Sequence, residues 1–442
     1  MLRIAIGQTP GNDLNEWPRV LEIVENLIRR AAGENADLIL LPECVWPAYF
    51  IHSPATFLAA RDAGMPSHEW FVAKLTTWAR TQRIAICAGY VSQHGDRLRN
   101  TAALISDAGE LLGTYDKCFL WDFDYTFFEP GDSLVPLDTP WGPVGLMICA
   151  DARLPEIPAT LAARGARLIL QPTAWVNCGA PDELWNPQPE SLIPERAREF
   201  GVPIASCSKC GSEGGTQFVG SSIICDAAGR VITQCGPNST ELIVAEVDLT
   251  PPRPATLTAA QRQRLLSTQP PRLPRADVPP LHVALRRDES DAVAATPTLL
   301  LDYPTDERAT TTAEIQSENR LLLTGPTETP IDLAGIRVAS LRDSDADCFG
   351  PIRAAALDGV HVIAIFGDNV ADRTLCARAT ENRIFIVQVT PTEVTAYDPR
   401  GRRVAADAKS NALTLKVAHS ANKEFAPRTN PFTERKPKSY EL

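Results

Sequence analysis

The chain has 442 residues, longer than one ordinary domain, and its 44% hydrophobic and 22% charged content is that of a globular protein. Acidic residues outnumber Lys and Arg by 54 to 43, a net charge of -11, which argues against a nucleic-acid binder because such a protein needs a basic face. No run of ~18 apolar residues occurs, so no membrane partner is expected, and the eleven Cys at irregular spacings read as reduced thiols of a cytoplasmic protein.

The first 250 residues alternate strand-like and helix-like runs. Arg3 to Gln8 is an apolar strand, and Trp17 to Ala32 follows with Val20, Ile23, Val24, Leu27 and Ile28 at helical spacing. Leu38-Ile39-Leu40-Leu41-Pro42 is a continuous apolar run, as expected of a strand covered on both faces. A helix around Trp70 to Arg80 leads into the strand Ile84 to Gly89. Further strands are predicted at Thr101 to Ile105, Val144 to Ile148, Arg167 to Leu170 and Val202 to Cys207, with helices over Glu156 to Arg164 and Pro189 to Phe200. This alternation predicts a layered α/β domain over 1–250.

Residues 251–280 carry eight prolines, a density that predicts a linker or an ordered arm. Beyond it, 281–442 parallels the first domain. Gly335 to Leu341 matches Gly142 to Ile148, and Ala354 to Val360 matches Leu161 to Ala166. Arg378 to Asn382 matches Arg196 to Phe200, and Asp398 to Arg402 matches Asp226 to Arg230. Four matches in one order predict a shortened internal repeat. The position of Cys149 falls at Arg342 or Asp343, so the repeat is expected to lack its chemistry. The polar tail from about Ala421 is expected to be mobile.

Three residues in the first domain stand where predicted strands end. Glu43 follows Leu41-Pro42, Lys117 follows Tyr115-Asp116, and Cys149 follows Val144 to Ile148. Ligands of layered α/β folds collect beyond the carboxyl ends of strands. A thiol at a strand-to-helix elbow is also expected to gain thiolate character from the helix that follows. Cys207-Ser208-Lys209-Cys210 has the spacing of half a redox or zinc site, but no second pair accompanies it.

With Phe128-Glu129-Pro130-Gly131-Asp132, Cys149 to Glu156, Pro172-Thr173-Ala174-Trp175, Arg196-Ala197 and Asp226 to Gly229, the sequence resembles the nitrilase superfamily of carbon–nitrogen hydrolases over most of 1–250. The resemblance implies a four-layer αββα sandwich, a Glu43–Lys117–Cys149 triad, and no metal or organic cofactor. It makes Cys149 the nucleophile and Glu43 the general base, and gives Lys117 and the N–H of Ala150 to the oxyanion. Asp124 stands where the family often has a second glutamate, one methylene shorter. Trp175, Asn177 and the loop Pro181 to Gln188 correspond to acyl-pocket segments, and Tyr49 and His52, shortly after Glu43, are expected to face the same pocket.

Ala150-Asp151 after the nucleophile looks more like the amidase and N-carbamoyl amidase branches than the nitrile-cleaving one. The expected substrate is therefore a small amide or ureido compound, with nitrile hydrolysis and acyl transfer as alternatives. The family's habit of pairing domains implies a homo-oligomer, or an internal pseudo-dimer in which the truncated repeat takes the partner's place.

Overall fold

The computed structural model describes all residues except 181, 286–295, 304–312, 318–319, 328, 405–411 and 421–428. Two compact units emerge, Met1–Ala255 with Ser439–Leu442, and Thr256–Lys438.

In the first unit the chain opens on β1 (Leu2–Pro10) and runs through α1 (Trp17–Gly33) to β2 (Leu38–Leu40). Then come α2 (Pro54–Asp62), α3 (His68–Gln82) and the meander β3 (Ala85–His94), β4 (Arg97–Ile105) and β5 (Leu111–Asp116). The short α4 (Asp124–Phe127) precedes β6 (Val144–Leu146), α5 (Glu156–Ala163), β7 (Leu168–Pro172), α6 (Ile193–Phe200) and β8 (Ile204–Cys207). Hairpin strands close the unit: β9 (Lys209–Glu213), β10 (Thr216–Val219), β11 (Ile223–Cys225), β12 (Val231–Gln234) and β13 (Glu241–Val247).

These strands form two sheets. One runs β10-β9-β1-β2-β3-β4-β5, with β13 also paired to β1; the other runs β12-β11-β8-β7-β6. The pairs β1–β2, β2–β3, β6–β7 and β7–β8 are parallel, and their strands are buried on both faces. Helices α1 and α3 lay Val20, Val24, Leu27, Phe71, Leu75 and Ala79 against Ala5, Ile39 and Ile86 of the first sheet. Helices α5 and α6 pack on the second sheet, and β2 and β3 meet β7 between the sheets, giving the αββα order.

The second unit begins with α7 (Ala259–Leu266), inside the proline-rich stretch. Thr258 caps it by accepting from the Gln261 N–H while the Gln261 carboxamide accepts from the Thr258 N–H, so a helix starts in spite of its neighbours. It packs on a later helix, Leu265 is buried, and Arg264 pairs with Asp358 at 2.8 Å. The part of 251–280 from Thr256 onward therefore belongs to this unit as an ordered arm.

Five strands follow: β14 (Leu281–Leu285), β15 (Thr298–Leu301), β16 (Ala313–Ser317), β17 (Arg320–Leu323) and β18 (Ile331–Leu333). Next come β19 (Ile336–Arg342), α8 (Asp343–Ala346), α9 (Phe349–Leu357), β20 (Val362–Phe366), α10 (Asp372–Asn382) and β21 (Phe385–Val389). The unit ends with β22 (Val394–Tyr397), β23 (Arg403–Val404) and β24 (Ala412–Leu415).

The sheet β18-β19-β20-β21-β22-β23 repeats the directions of β6-β7-β8-β11-β12, three parallel strands and then two antiparallel ones, with β18 added at its edge. The sheet β16-β17-β15-β14-β24 repeats those of β4-β3-β2-β1-β13, although β16 precedes β17 in the chain. Residues before Gly335, which look too few to replace 1–141, thus still make a second sheet.

Local bonds correspond as well. Arg196 donates from Nε to the Ala152 carbonyl at 3.3 Å and Arg378 to that of Ala346 at 2.9 Å, each also paired with a glutamate three residues on. The N–H of Ile148 donates to Asp151 as that of Arg342 does to Asp345. Val144 pairs with Leu168 and Val338 with Leu168's counterpart Val362, a register that puts Asp343 where Cys149 stands.

Residues 421–428 of the tail lie outside the described ones, but its end is not loose. Tyr440 is buried, Glu441 donates its N–H to the Thr160 hydroxyl at 3.0 Å, and its carboxylate pairs with Arg164 at 3.0 Å. Among the described residues no helix is long and apolar enough to cross a membrane.

Candidate active site

Three strand ends carry the chemistry. Glu43 leaves β2 through Leu41-Pro42, held by Leu41 N–H on the Cys87 carbonyl at 2.8 Å and Gly89 N–H on the Pro42 carbonyl at 3.1 Å. A Cβ on Gly89 would lie 2.6 Å from the Glu43 Cα, so only glycine admits this approach. Lys117 follows β5 with its N–H on the Asn100 carbonyl at 2.9 Å. Cys149 turns out of β6 with φ of 45°, a left-handed conformation that a non-glycine residue takes only when its surroundings enforce it.

The side chains of Glu43, Lys117 and Asp124 converge with no solvent exposure. Lys117 Nζ lies 2.7 Å from Glu43 Oε1 and 2.6 Å from Asp124 Oδ2. Asn100 Nδ2 donates to the same Glu43 oxygen at 2.7 Å, and the Trp121 N–H to the same Asp124 oxygen at 2.9 Å. Both carboxylates therefore turn one oxygen to the lysine, and their other oxygens, Glu43 Oε2 and Asp124 Oδ1, are buried without a hydrogen-bond partner. The shorter Asp124 reaches the lysine because it opens α4, which brings its backbone close.

Burial raises Glu43 above the usual carboxylate range, with Lys117 opposing and Asp124 adding to the shift. Burial pulls the Lys117 ammonium down, but Asp124 and Glu43 outweigh it and hold the group charged. Burial, with Glu43 adding, pushes the Cys149 thiol up to about 12. The expected help from a helix does not arrive: Cys149–Arg153 is a 3-10 turn, and α5 starts only at Glu156. Cys149 therefore rests as a thiol, facing the Ala174 carbonyl at 4.0 Å and the Thr173 hydroxyl.

The turn is fixed by groups that sequence spacing did not single out. Asp151 accepts from Ile148 N–H at 2.8 Å, Phe119 N–H at 2.7 Å and Tyr115 hydroxyl at 2.8 Å, tying the lysine loop to the thiol turn. The Cys149 carbonyl accepts from Gln171 Nε2 at 2.8 Å and, with its amide oriented to suit its neighbours, from Gln188 at 2.8 Å. Buried Gln171, in the otherwise apolar run Leu168 to Leu170, was the signal available in the sequence.

The remaining candidates part company. The Tyr49 ring lies 5.6 Å from Lys117 Nζ, with its buried hydroxyl facing Asp124. Ala150 is buried in the turn beside Cys149. Trp175 is buried with its indole N–H directed at Gln188, 3.3 Å away, so it supports the turn from behind. His52 is exposed and edge-on to Phe50, lining a cavity of about 710 Å³ with Leu14, Trp17 and Met65 instead of joining the buried cluster. Asn177 spends its amide on its own loop, accepting from Gly179 and Trp185 N–H and donating to Ala180 and Gln217, because the turn between β7 and α6 needs those bonds. Its loop's Pro181 lies outside the described residues.

Cys207 and Cys210 are free, buried thiols, and Cys210 donates to the Thr9 carbonyl at 3.5 Å. No group of three or more His, Cys, Asp or Glu among the described residues is placed to hold a metal.

The family model described as carbon–nitrogen hydrolase matches residues 3–253. A nitrilase of Pyrococcus abyssi is 32% identical over 51% of this chain and 82% of its own length. The mouse omega-amidase NIT2 is 30% identical over 51% of this chain and 81% of its own. A solved amidase from Nesterenkonia sp. AN1, 29% identical, covers 56% of this chain and 94% of its own, with a TM-score of 0.48.

Proposed function

The chain belongs to the carbon–nitrogen hydrolase family, and on that premise we propose that it hydrolyses a terminal carboxamide, C(=O)NH2, of a small amide or N-carbamoyl compound through Cys149. The observation that carries this reading is the pair of buried, unengaged oxygens, Glu43 Oε2 and Asp124 Oδ1, on either side of Lys117. An amide nitrogen brings two N–H donors to two acceptors, whereas a nitrile nitrogen brings none. A buried acceptor left unmet costs about 1–3 kcal/mol, enough to favour the amide. The omega-amidase relative points the same way.

In this reading Glu43 takes the Cys149 proton as sulfur attacks the carbonyl carbon, its raised pKa making it a better base. The C=O electron pair moves to oxygen, where the Lys117 ammonium and the Ala150 N–H stabilise it. Glu43 then hands the proton to nitrogen, ammonia leaves, and a thioester remains on Cys149. Glu43 next draws a proton from water, which attacks the thioester to give the acid and restore the thiol.

Ammonia release from propionamide and N-carbamoylglycine, set against propionitrile, tests the reading. Turnover of either of the first two is expected. Turnover of propionitrile alone would overturn it.

For Thr256–Lys438 the matched strand directions and the matched Arg196 and Arg378 bonds support a degenerate copy of the first unit. With Asp343 at the elbow it has no thiol to attack with, so the copy is non-catalytic.

A further inference from the structure

Behind the site lies a second buried lysine–carboxylate pair that the reaction does not use. Lys209 and Glu213 are the ends of β9, and Gly211 between them has φ of 71°, which folds the strand back so that the two side chains meet. Lys209 Nζ lies 2.7 Å from Glu213 Oε2, and both side chains are fully buried. Asn12, 5% exposed, joins them: its N–H donates to Glu213 Oε2 at 3.3 Å and its Oδ1 accepts from Lys209 at 3.4 Å.

The free ends of this cluster all reach one segment. Glu213 Oε1 accepts from the N–H of Tyr49 and, at 2.6 Å, from that of Phe50. Asn12 Nδ2 donates to the Pro47 carbonyl at 2.6 Å. The segment they hold begins at Glu43 itself and carries Tyr49, whose ring stands over Lys117 between Phe123 and Phe218. Burying an ion pair offers little net stability. Here its carboxylate is spent on two backbone N–H groups of a loop whose strand pairing, among the described residues, is the Trp46–Tyr90 bridge.

We propose that Lys209, Glu213 and Asn12 are positioning residues that set Tyr49 against Lys117, and through it the oxyanion-binding geometry. Lys209 fixes the charge and direction of Glu213, Glu213 fixes the backbone of Tyr49 and Phe50, and Asn12 fixes Pro47. The segment Cys207 to Cys210 thus matters for the lysine between its thiols. The inference rests on the carboxamide-hydrolase reading.

The test uses the full chain, propionamide as substrate, and iodoacetamide labelling of the Cys149 peptide read by mass. Glu213→Gln keeps an acceptor for the loop but loses the charge that orients it. Its kcat should fall about 10- to 100-fold, the cost of misplacing a site by a fraction of an ångström to an ångström, with KM changed much less. Tyr49→Leu should fall comparably, and the Glu213→Gln/Tyr49→Leu double variant no further than the weaker of the two, because both act through one side chain. A merely structural role would give multiplied losses and would overturn the proposal, as would an unchanged kcat in Glu213→Gln. If Glu213→Gln does not fold, Asn12→Ala, which cuts only the Pro47 strut and the lysine contact, carries the same cycle with the same two outcomes. A wild-type chain that neither releases ammonia nor labels at Cys149 would instead refute the hydrolase reading, and this inference with it.

Discussion

Cys149 sits 6% exposed with its thiol pushed up to about 12, so it attacks only if a neighbour removes its proton in the same step. In the proposed reaction Glu43 is that neighbour, and its own raised pKa sets the acid limit. Asp151, raised to about 6 by burial, adds to it, since protonation removes its charge and weakens its acceptance from Ile148, Phe119 and Tyr115. The folded chain therefore binds the Asp151 proton more tightly than the unfolded one. Its contribution to stability falls as pH rises between about 4 and 6 and is level above that. Activity moves in the opposite sense and should be lost as pH falls through about 6, earlier than an ordinary carboxylate would cause. A pH profile of kcat/KM for wild type and Asp151→Asn checks this: the variant, a mimic of the protonated acid, should be slowed at every pH and keep only the Glu43 limb, and full wild-type activity at pH 4.5 would contradict it. Lys117→Met should lose about 10²- to 10³-fold in kcat, as expected for one oxyanion donor, with circular dichroism reporting whether Glu43 and Asp124, left facing each other, still permit folding. Glu43, Lys117 and Cys149 drew notice in the sequence because each follows a strand and lies in a motif of the family that the chain resembles. The roles of Asp151 and Gln171 did not, because their value lies in which distant N–H or carbonyl they meet.

At the scale of elements, the thiol turn is shaped by its neighbours more than by its own sequence. Cys149 holds φ of 45° because its carbonyl is pinned from β7 by Gln171 and from the start of the next helical segment by Gln188. Gln171→Leu keeps the strand apolar but leaves that carbonyl with one donor fewer. We predict a loss of about 1–3 kcal/mol in stability by urea unfolding, with kcat reduced more than KM; an unaltered kcat would show that the turn holds without it. Apolar runs in parallel strands and the helical spacing of α1 were readable in advance, since burial on both faces and amphipathicity leave plain patterns. The helix α7 was hidden, because proline density on either side masked the Thr258–Gln261 capping box that starts it. His52 and Asn177, read as pocket residues from their place after Glu43 and Trp175, show the limit of such proximity: a surface cavity and a loop's own bonds claim them.

At the scale of the whole molecule, one sheet arrangement occurs twice in one chain, once with a thiol elbow and once with Asp343 there. The four short sequence matches behind the proposed copy fall on a strand, two helices and a turn whose hydrogen bonds correspond. Its first sheet was not legible, because strands β14 to β17 satisfy the same ladder with unrelated side chains. If the second unit is the proposed copy without chemistry, Asp343→Ala should leave carboxamide hydrolysis within about twofold of wild type, the scale of an ordinary surface substitution. A tenfold loss in a folded Asp343→Ala chain would give the second unit a part in the reaction.

Covalent catalysis at Cys149 can be caught by intact-protein mass spectrometry during propionamide turnover. Wild type, Glu43→Gln and Cys149→Ala would be quenched side by side. A propionyl increment is expected on wild type or Glu43→Gln, mapped to the Cys149 peptide and absent from Cys149→Ala. The same increment on Cys149→Ala, or turnover by that variant, would contradict it.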